Sequence, residues 1–128
     1  MRTALTIAGS DSIGGAGIQA DIKAMGALDV HAASVITAIT AQNTYEVADI
    51  FPVPMDFIEA QFRSVVSDLK INAVKTGMLY SSDIAELVAD LLEDHEVPLV
   101  IDPVLTAGVG GSAVPSASGN VVQPYASI

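Results

Sequence analysis

The sequence contains no cysteine and few basic residues, and both shortages exclude classes of protein. Without cysteine there can be no disulfide, no thiolate nucleophile and no cysteine-ligated metal. Only five lysines and arginines stand against 15 aspartates and glutamates, which gives a net charge of −10. That sign opposes a broad phosphate-binding surface, so we expect no nucleic-acid partner.

Long apolar runs are also lacking at the N-terminus, where only a short apolar stretch precedes Asp11. A signal peptide or a membrane anchor needs a longer one, so we expect a cytoplasmic protein with no membrane partner. What the sequence does contain is 128 residues of which 51% are hydrophobic. This length and composition exclude disorder and suit one modest α/β domain.

Apolar periodicity predicts strands that alternate with helices. Strands are predicted at 3–8, 35–41, 71–76 and 99–101. Three helices are predicted from apolar stripes with three- and four-residue steps: Ile18, Ile22, Met25 and Leu28; Ile58, Phe62, Val65, Val66 and Leu69; Ile84, Leu87, Val88, Leu91 and Leu92. Asp56 and Glu59 fit a capping box for the second helix, and Ser82 fits an N-cap for the third. This alternation predicts an α/β fold with a mostly parallel sheet, and ligands of such sheets bind beyond the carboxyl ends of the strands.

The composition changes near the C-terminus. All 20 charged residues lie before residue 103, and residues 103–128 hold four glycines, three prolines and four serines. A stretch of this length without a helical pattern is uncommon inside a compact domain. We therefore assign residues 1–112 to the domain and residues 113–128 to an atypical, loose tail.

The glycine-rich segment from Gly9 to Gly17 separates the first strand from the first helix. Its backbone amides could hold an anionic or polar ligand, although a tight turn would need the same glycines. Asp21 follows one turn later and could accept a hydrogen bond from a ligand or simply complement the helix dipole. Gln42, at a strand end, offers a donor and an acceptor suited to a heterocycle edge, or is an ordinary loop amide.

Three further candidates follow the later strands. Lys75 lies in an apolar strand and needs a carboxylate or phosphate partner if it faces inward. Met78 could pack on a flat ligand or fill the core. Asp102, at the end of a buried strand, could position Mg²⁺ through water or begin a turn.

Together these residues are more specific than any one of them. The sequence resembles the hydroxymethylpyrimidine/phosphomethylpyrimidine kinases of the ribokinase-like superfamily, and it matches their N-terminal half. The resemblance lies in four motifs, in order: Thr6 to Asp11 with Gly14 to Asp21; Ser34 to Ala38 with Ala41 to Thr44; Lys75 to Leu79; and Asp102 to Val104.

The resemblance implies part of a three-layer α/β/α sandwich and a reaction in thiamine biosynthesis. ATP would phosphorylate 4-amino-5-hydroxymethyl-2-methylpyrimidine and then its monophosphate, with Mg²⁺ bridging the phosphates. Carried over by motif, the substrate would contact five residues, and Asp102 and Lys75 would position the phosphates, with Asp102 also holding the metal through water. The five are Gly9, Asp21, Gln42, Met78 and Val104.

Two departures from the family's pattern shape the alternatives. Ile13 stands where the family commonly has glycine. The family's catalytic base, anion hole and most of its nucleotide pocket lie in a second half that this sequence does not match. The alternatives are a non-catalytic or partner-completed pyrimidine-binding half-domain and a kinase of the pyridoxal type. An incomplete sheet would leave an open edge and exposed apolar helix faces, which favours a homodimer or aggregation.

Overall fold

The computed structural model describes residues 1–104, which form five strands and three helices. In chain order these are β1 (Thr3–Ser10), α1 (Gly17–Ala27), β2 (His31–Gln42), β3 (Val47–Pro52), α2 (Met55–Asp68), β4 (Ala73–Thr76), α3 (Ser82–Leu92) and β5 (Leu99–Ile101). The four predicted strands and three predicted helices are all present. The predicted tail, residues 113–128, lies outside the described residues.

The strands form one sheet in the order β3-β2-β1-β4-β5. Strand β1 pairs in parallel with β2 and β4, and β4 pairs in parallel with β5. Only β3 is antiparallel, and it pairs with β2. The predicted α/β class with a mostly parallel sheet is thus confirmed. The sequence did not predict β3, because its side chains are half-buried or exposed and show no continuous apolar face.

Side chains alternate between the two faces of β1, and this alternation separates the layers. Leu5 and Ile7 are buried in the main core, together with Ile58 and Phe62 of α2 and Val88 of α3. The intervening Thr6 bonds to α1 on the opposite face. The chain therefore places α1 on one side of the sheet and α2 with α3 on the other, as right-handed crossovers running in opposite directions along the sheet require.

Two local predictions are wrong. Helix α2 begins after Pro54 with no side-chain cap, so Asp56 is a first-turn carboxylate rather than part of a capping box. Helix α3 is capped by Ser81, whose hydroxyl accepts from the Ile84 amide at 3.2 Å, and Ser82 is its first residue. Helix ends shift by a residue because several neighbouring polar side chains can cap them.

Helix α1 is present as predicted, but its apolar stripe is buried only at Ile18, and Leu28, the C-cap residue, is 77% exposed.

Candidate functional site at the carboxyl ends of the strands

A cleft of about 360 Å³ opens at the carboxyl ends of β1, β2, β4 and β5. It lies where the crossovers from β1 and from β4 leave in opposite directions, which is the usual ligand position in open α/β sheets. All seven residues predicted from the sequence line this cleft: Gly9, Asp21, Gln42, Lys75, Met78, Asp102 and Val104. The fold therefore brings together residues that span most of the described chain.

Asp11 organises the glycine loop between β1 and α1. Its buried carboxylate accepts backbone N–H bonds from Ile13 at 3.0 Å and from Gly15 and Ala16 at 2.8 Å each. These amides precede the first turn of α1, where an anion is stabilised by the helix dipole. The backbone amides that the sequence analysis considered for binding an anionic ligand are therefore hydrogen-bonded to the Asp11 carboxylate instead.

The environment of Asp11 keeps it ionised. Burial, the largest single influence, raises the pKa of this carboxyl group, but hydrogen bonds to the charged form outweigh it. Their contributions come from the Ile13 amide, the Gln42 side chain and the Ala16 and Gly15 amides, and the net pKa lies below the ordinary 3.8. Asp11 therefore holds the loop as a carboxylate at neutral pH.

Asp21 and Lys75 form an ion pair beneath the loop. The Lys75 ammonium lies 2.8 Å from Asp21 Oδ2 and 3.1 Å from Oδ1, and the Thr6 hydroxyl donates to Oδ2 at 2.5 Å. The two charged side chains are 21% and 16% exposed. Lys75 faces inward and has the carboxylate partner that its apolar strand required. Its predicted role in placing phosphates stays a prediction.

Close backbone packing explains two of the glycines. Gly17 has a φ of +59°, and a β-carbon there would collide with the carbonyl of Gly9. A β-carbon on Gly9 would itself lie 2.5 Å from the Met78 methyl group. Gly17 therefore requires glycine for its backbone conformation, whereas Gly9, within β1, requires it for close packing. The same contact places the Met78 side chain against the floor of the cleft.

The remaining predicted residues lie at strand ends. The Gln42 backbone bonds to the hydroxyl of Ser12 in the glycine loop. Asp102 directly follows β5 and is exposed, and its amide donates to the Thr76 carbonyl at 2.9 Å. The Val104 amide donates in turn to the Asp102 carbonyl at 2.8 Å. These bonds carry the chain from β5 along the rim of the cleft.

The sequence analysis missed Asp11 and Ser12 as site residues. Asp11 carried a signal, since an aspartate between a buried strand and a glycine-rich turn can accept the turn's amides. Ser12 carried none, because its partner lies 30 residues away at the end of another strand. Local sequence patterns do not report such long-range contacts.

No other feature of residues 1–104 combines a cavity with the predicted site residues. A larger cavity of about 500 Å³ lies between the C-terminal half of α3 and β5, and it contains none of the predicted site residues. No three histidine, aspartate or glutamate side chains in this part of the chain come together as a metal cluster. None of the three helices is long and apolar enough to span a bilayer. The cytoplasmic location stays a prediction.

Comparison with known proteins identifies the family to which this fold belongs. The phosphomethylpyrimidine kinase family matches residues 11–124. The chain belongs to this family. The predicted resemblance is thereby confirmed, and the family match includes both the Asp11 loop and Gln42.

Individual members of the phosphomethylpyrimidine kinase family and related kinases agree. The hydroxymethylpyrimidine/phosphomethylpyrimidine kinase of Streptomyces coelicolor is 50% identical over 114 residues, which are 89% of this chain and 42% of the relative. The crystal structure of the phosphomethylpyrimidine kinase from Clostridium difficile superposes with a TM-score of 0.85 at 40% identity, over 96% of this chain and 54% of that one. The structure of Staphylococcus aureus pyridoxal kinase in complex with AMP-PCP and pyridoxal superposes with a TM-score of 0.74 at 36% identity. The match covers 85% of this chain and 41% of the pyridoxal kinase. The chain thus spans less than half of its Streptomyces relative.

Proposed function

We propose that this chain carries the pyrimidine-binding part of a kinase that phosphorylates 4-amino-5-hydroxymethyl-2-methylpyrimidine and its monophosphate with ATP. The observation that carries the proposal is the meeting of all seven motif residues in one cleft of a chain from the phosphomethylpyrimidine kinase family. Gln42 supplies an amide donor and acceptor for the polar edge of the ring. Asp21 supplies a carboxylate, and Met78 and Val104 supply apolar contact.

The charges in the cleft fit a reaction that depends on positioning and charge neutralisation. Asp11, Asp21 and Asp102 line the cleft with Lys75 as its one cation among the described residues. Mg²⁺ is commonly held by one or two carboxylates, several waters and the substrate's phosphates, so the single exposed Asp102 fits a water-mediated contact to it. The metal would supply neutralisation of the phosphates. Asp102 would orient its water shell.

Calorimetric titration of the purified 128-residue chain with the hydroxymethylpyrimidine tests binding, and ATP consumption with Mg²⁺ tests catalysis. We expect binding that is lost in Gln42→Ala and kept in Glu46→Ala, an exposed neighbour in the β2–β3 hairpin. Binding together with ATP consumption supports the kinase. Binding without ATP consumption supports the alternative, a binding half-domain completed by a partner. Absence of both in a folded chain overturns the proposal.

A pyridoxal-type kinase is the second candidate, because the Staphylococcus aureus pyridoxal kinase shares this part of the fold. Pyridoxal also carries a hydroxymethyl group on a heteroaromatic ring, so both compounds fit an apolar cleft with few polar groups. Titration with pyridoxal in parallel decides between them. Tighter binding of pyridoxal than of the aminopyrimidine would favour this candidate.

A homodimer is proposed as well. In the described sheet both outer strands carry exposed apolar side chains: Phe51 of β3 is 63% exposed and Val100 of β5 is 63% exposed. Phe51 pairs in register with Ile39, which is 50% exposed, so two apolar residues share one surface patch. Such patches are typical of association surfaces. Sedimentation equilibrium should give twice the mass of the chain, and a monomer at all concentrations would contradict the proposal.

A further inference from the structure

A single hydroxyl group connects the glycine loop to the end of β2. Ser12 Oγ accepts a hydrogen bond from the backbone N–H of Gln42 at 2.8 Å and donates one to the backbone carbonyl of Gln42 at 2.7 Å. One side chain therefore satisfies both backbone groups of the same residue. This residue is the one whose side chain is proposed to pair with the ring of the substrate.

The sheet pairing is irregular around Gln42, which pairs with Val47 of β3 only after a register shift and has no register partner on β1. Strand β1 ends at Ser10, which pairs with Ile39 after a register shift. On the other side, the register between β2 and β3 shifts between Ala41 and Gln42. Irregular pairing of this kind weakens the definition of backbone position at a strand end. The Ser12 hydroxyl bonds to the Gln42 backbone beyond the last pair of β1 and β2, Ser10 with Ile39.

Ser12 can act as a support because its own position is fixed. The neighbouring Asp11 carboxylate bonds to the backbone amides of Ile13, Gly15 and Ala16, which follow Ser12 in the sequence. The Asp11 amide donates to the Gln19 side chain of α1 at 2.8 Å. The loop is thus anchored to α1 before it reaches across to β2.

The Gln42 side chain also bonds to the Asp11 carboxylate, which leaves one side-chain N–H and the side-chain carbonyl oxygen for a ligand. We propose that Ser12 is a positioning residue for substrate recognition: its hydroxyl fixes the Gln42 peptide so that these remaining side-chain groups meet the polar edge of the pyrimidine. The inference rests on the function proposed above, since it concerns how the same cleft selects its ring. Ser12 acts through Gln42. Removal of the hydroxyl should therefore weaken only those contacts that Gln42 makes.

The test compares two ligands and two substitutions. Ser12→Ala should weaken binding of 4-amino-5-hydroxymethyl-2-methylpyrimidine about threefold to tenfold, the usual effect of losing a hydrogen bond. The analogue without the 4-amino group should be weakened less by Ser12→Ala, because it keeps only the ring nitrogen of the two groups that Gln42 contacts. Ser12→Thr keeps the hydroxyl and should restore selectivity. Equal weakening of both ligands, or of neither, would overturn the proposal.

Hydrogen exchange tests the contact without any ligand. In Ser12→Ala the backbone N–H of Gln42 loses its acceptor, so its hydrogen should exchange faster. Ser12→Thr should return the exchange to the original rate. Ser67→Ala is the matched control, because the exposed Ser67 hydroxyl also donates to a backbone carbonyl, at 2.9 Å, but in α2. It should leave exchange at Gln42 and binding unchanged.

The two measurements separate failure of the inference from failure of the proposed function. If the unaltered chain binds neither pyrimidine, the proposed function is wrong, and the exchange result alone decides whether Ser12 holds Gln42. Unchanged exchange in Ser12→Ala overturns the inference whatever the ligands do. Faster exchange that threonine reverses supports it.

Discussion

Lys75 of β4 and Asp21 of α1 form an ion pair, 2.8 Å between Nζ and Oδ2, in the wall of the cleft at the carboxyl ends of the strands. Thr6 is the register partner of Lys75 on β1, and its hydroxyl bonds to the same carboxylate oxygen. Two neighbouring strands therefore present their donors to one helix residue. The arrangement fixes the Asp21 carboxylate while Oδ1, which accepts only the longer 3.1 Å bond, retains capacity for a ligand donor.

We expect Lys75→Met to destabilise the fold by about 1–3 kcal/mol, because it leaves a mostly buried carboxylate without its counter-charge. Urea unfolding at neutral pH measures the change. Arg63→Met is the control: Arg63 pairs with Glu59 at 2.6 Å on the surface of α2, with side chains 68% and 39% exposed. Its loss should cost about 0.5 kcal/mol or less.

The double variant Asp21→Asn with Lys75→Met separates the charge from the packing. Removing both charges should recover part of the stability lost in Lys75→Met, because no uncompensated carboxylate is left. If the loss of stability in the double variant equals the sum of the losses in Lys75→Met and Asp21→Asn, the two residues act independently.

Asp11 makes stability depend on pH. The carboxyl's pKa is lower in the folded chain than the ordinary 3.8, since the hydrogen bonds to its charged form outweigh the opposing effect of burial. Its contribution to stability is therefore fully present above about pH 4 and is lost as the pH falls through the folded-state pKa. Asp11→Asn should be less stable than the unaltered chain at pH 7 by about 1–3 kcal/mol. This difference should narrow below pH 4.

Urea unfolding across this pH range measures the narrowing. The control at pH 7 is Asp94→Asn, which alters an exposed aspartate after α3 and should change the free energy of unfolding by less than about 0.5 kcal/mol. A constant difference between Asp11→Asn and the unaltered chain from pH 7 to pH 2 would contradict the role assigned to the carboxylate.

The sequence predicted those parts of the site that depend on residue type and strand position. Lys75 in an apolar strand required a partner, and Asp21 provides it. Gln42 and Asp102 were found because polar residues at the carboxyl ends of parallel strands meet at one edge. Strand β3 and the contact of Ser12 with Gln42 were not found. Both depend on tertiary placement, since β3 has no buried face and the Ser12 hydroxyl meets a residue distant in sequence.

Two buried threonines provide opposite tests of hydrogen bonding next to the cleft. Thr76 and Thr37 are both fully buried, but Thr37 donates to the Met78 carbonyl at 2.6 Å, whereas the Thr76 hydroxyl has no partner among the described residues. Thr76→Val should stabilise the chain by about 1 kcal/mol, because it removes an unpaired buried hydroxyl. Thr37→Val should destabilise it by about 1–2 kcal/mol. Thermal unfolding of the two variants measures this, and a loss of stability in Thr76→Val would show that its hydroxyl is paired.

The contact between Gly9 and Met78 predicts a substitution that narrows the cleft. A β-carbon on Gly9 would lie 2.5 Å from the Met78 methyl group and 3.5 Å from the Ala38 carbonyl, so the methionine must move. Methionine is flexible, and the cost in stability should be only about 1 kcal/mol. Because Gly9 and Met78 both line the cleft, the displaced methionine side chain should move into it. We therefore expect Gly9→Ala to bind the hydroxymethylpyrimidine about tenfold more weakly.

A double-mutant cycle tests whether Met78 transmits this effect. Gly9→Ala combined with Met78→Ala should bind the pyrimidine no more weakly than Met78→Ala alone, because the side chain that Gly9→Ala displaces is gone. Gly26→Ala, in α1, is the control: a β-carbon there meets nothing within 4 Å. It should leave pyrimidine binding unchanged. Additive losses in the double variant would show instead that Gly9 acts on the ligand directly, through its own close approach to the ring.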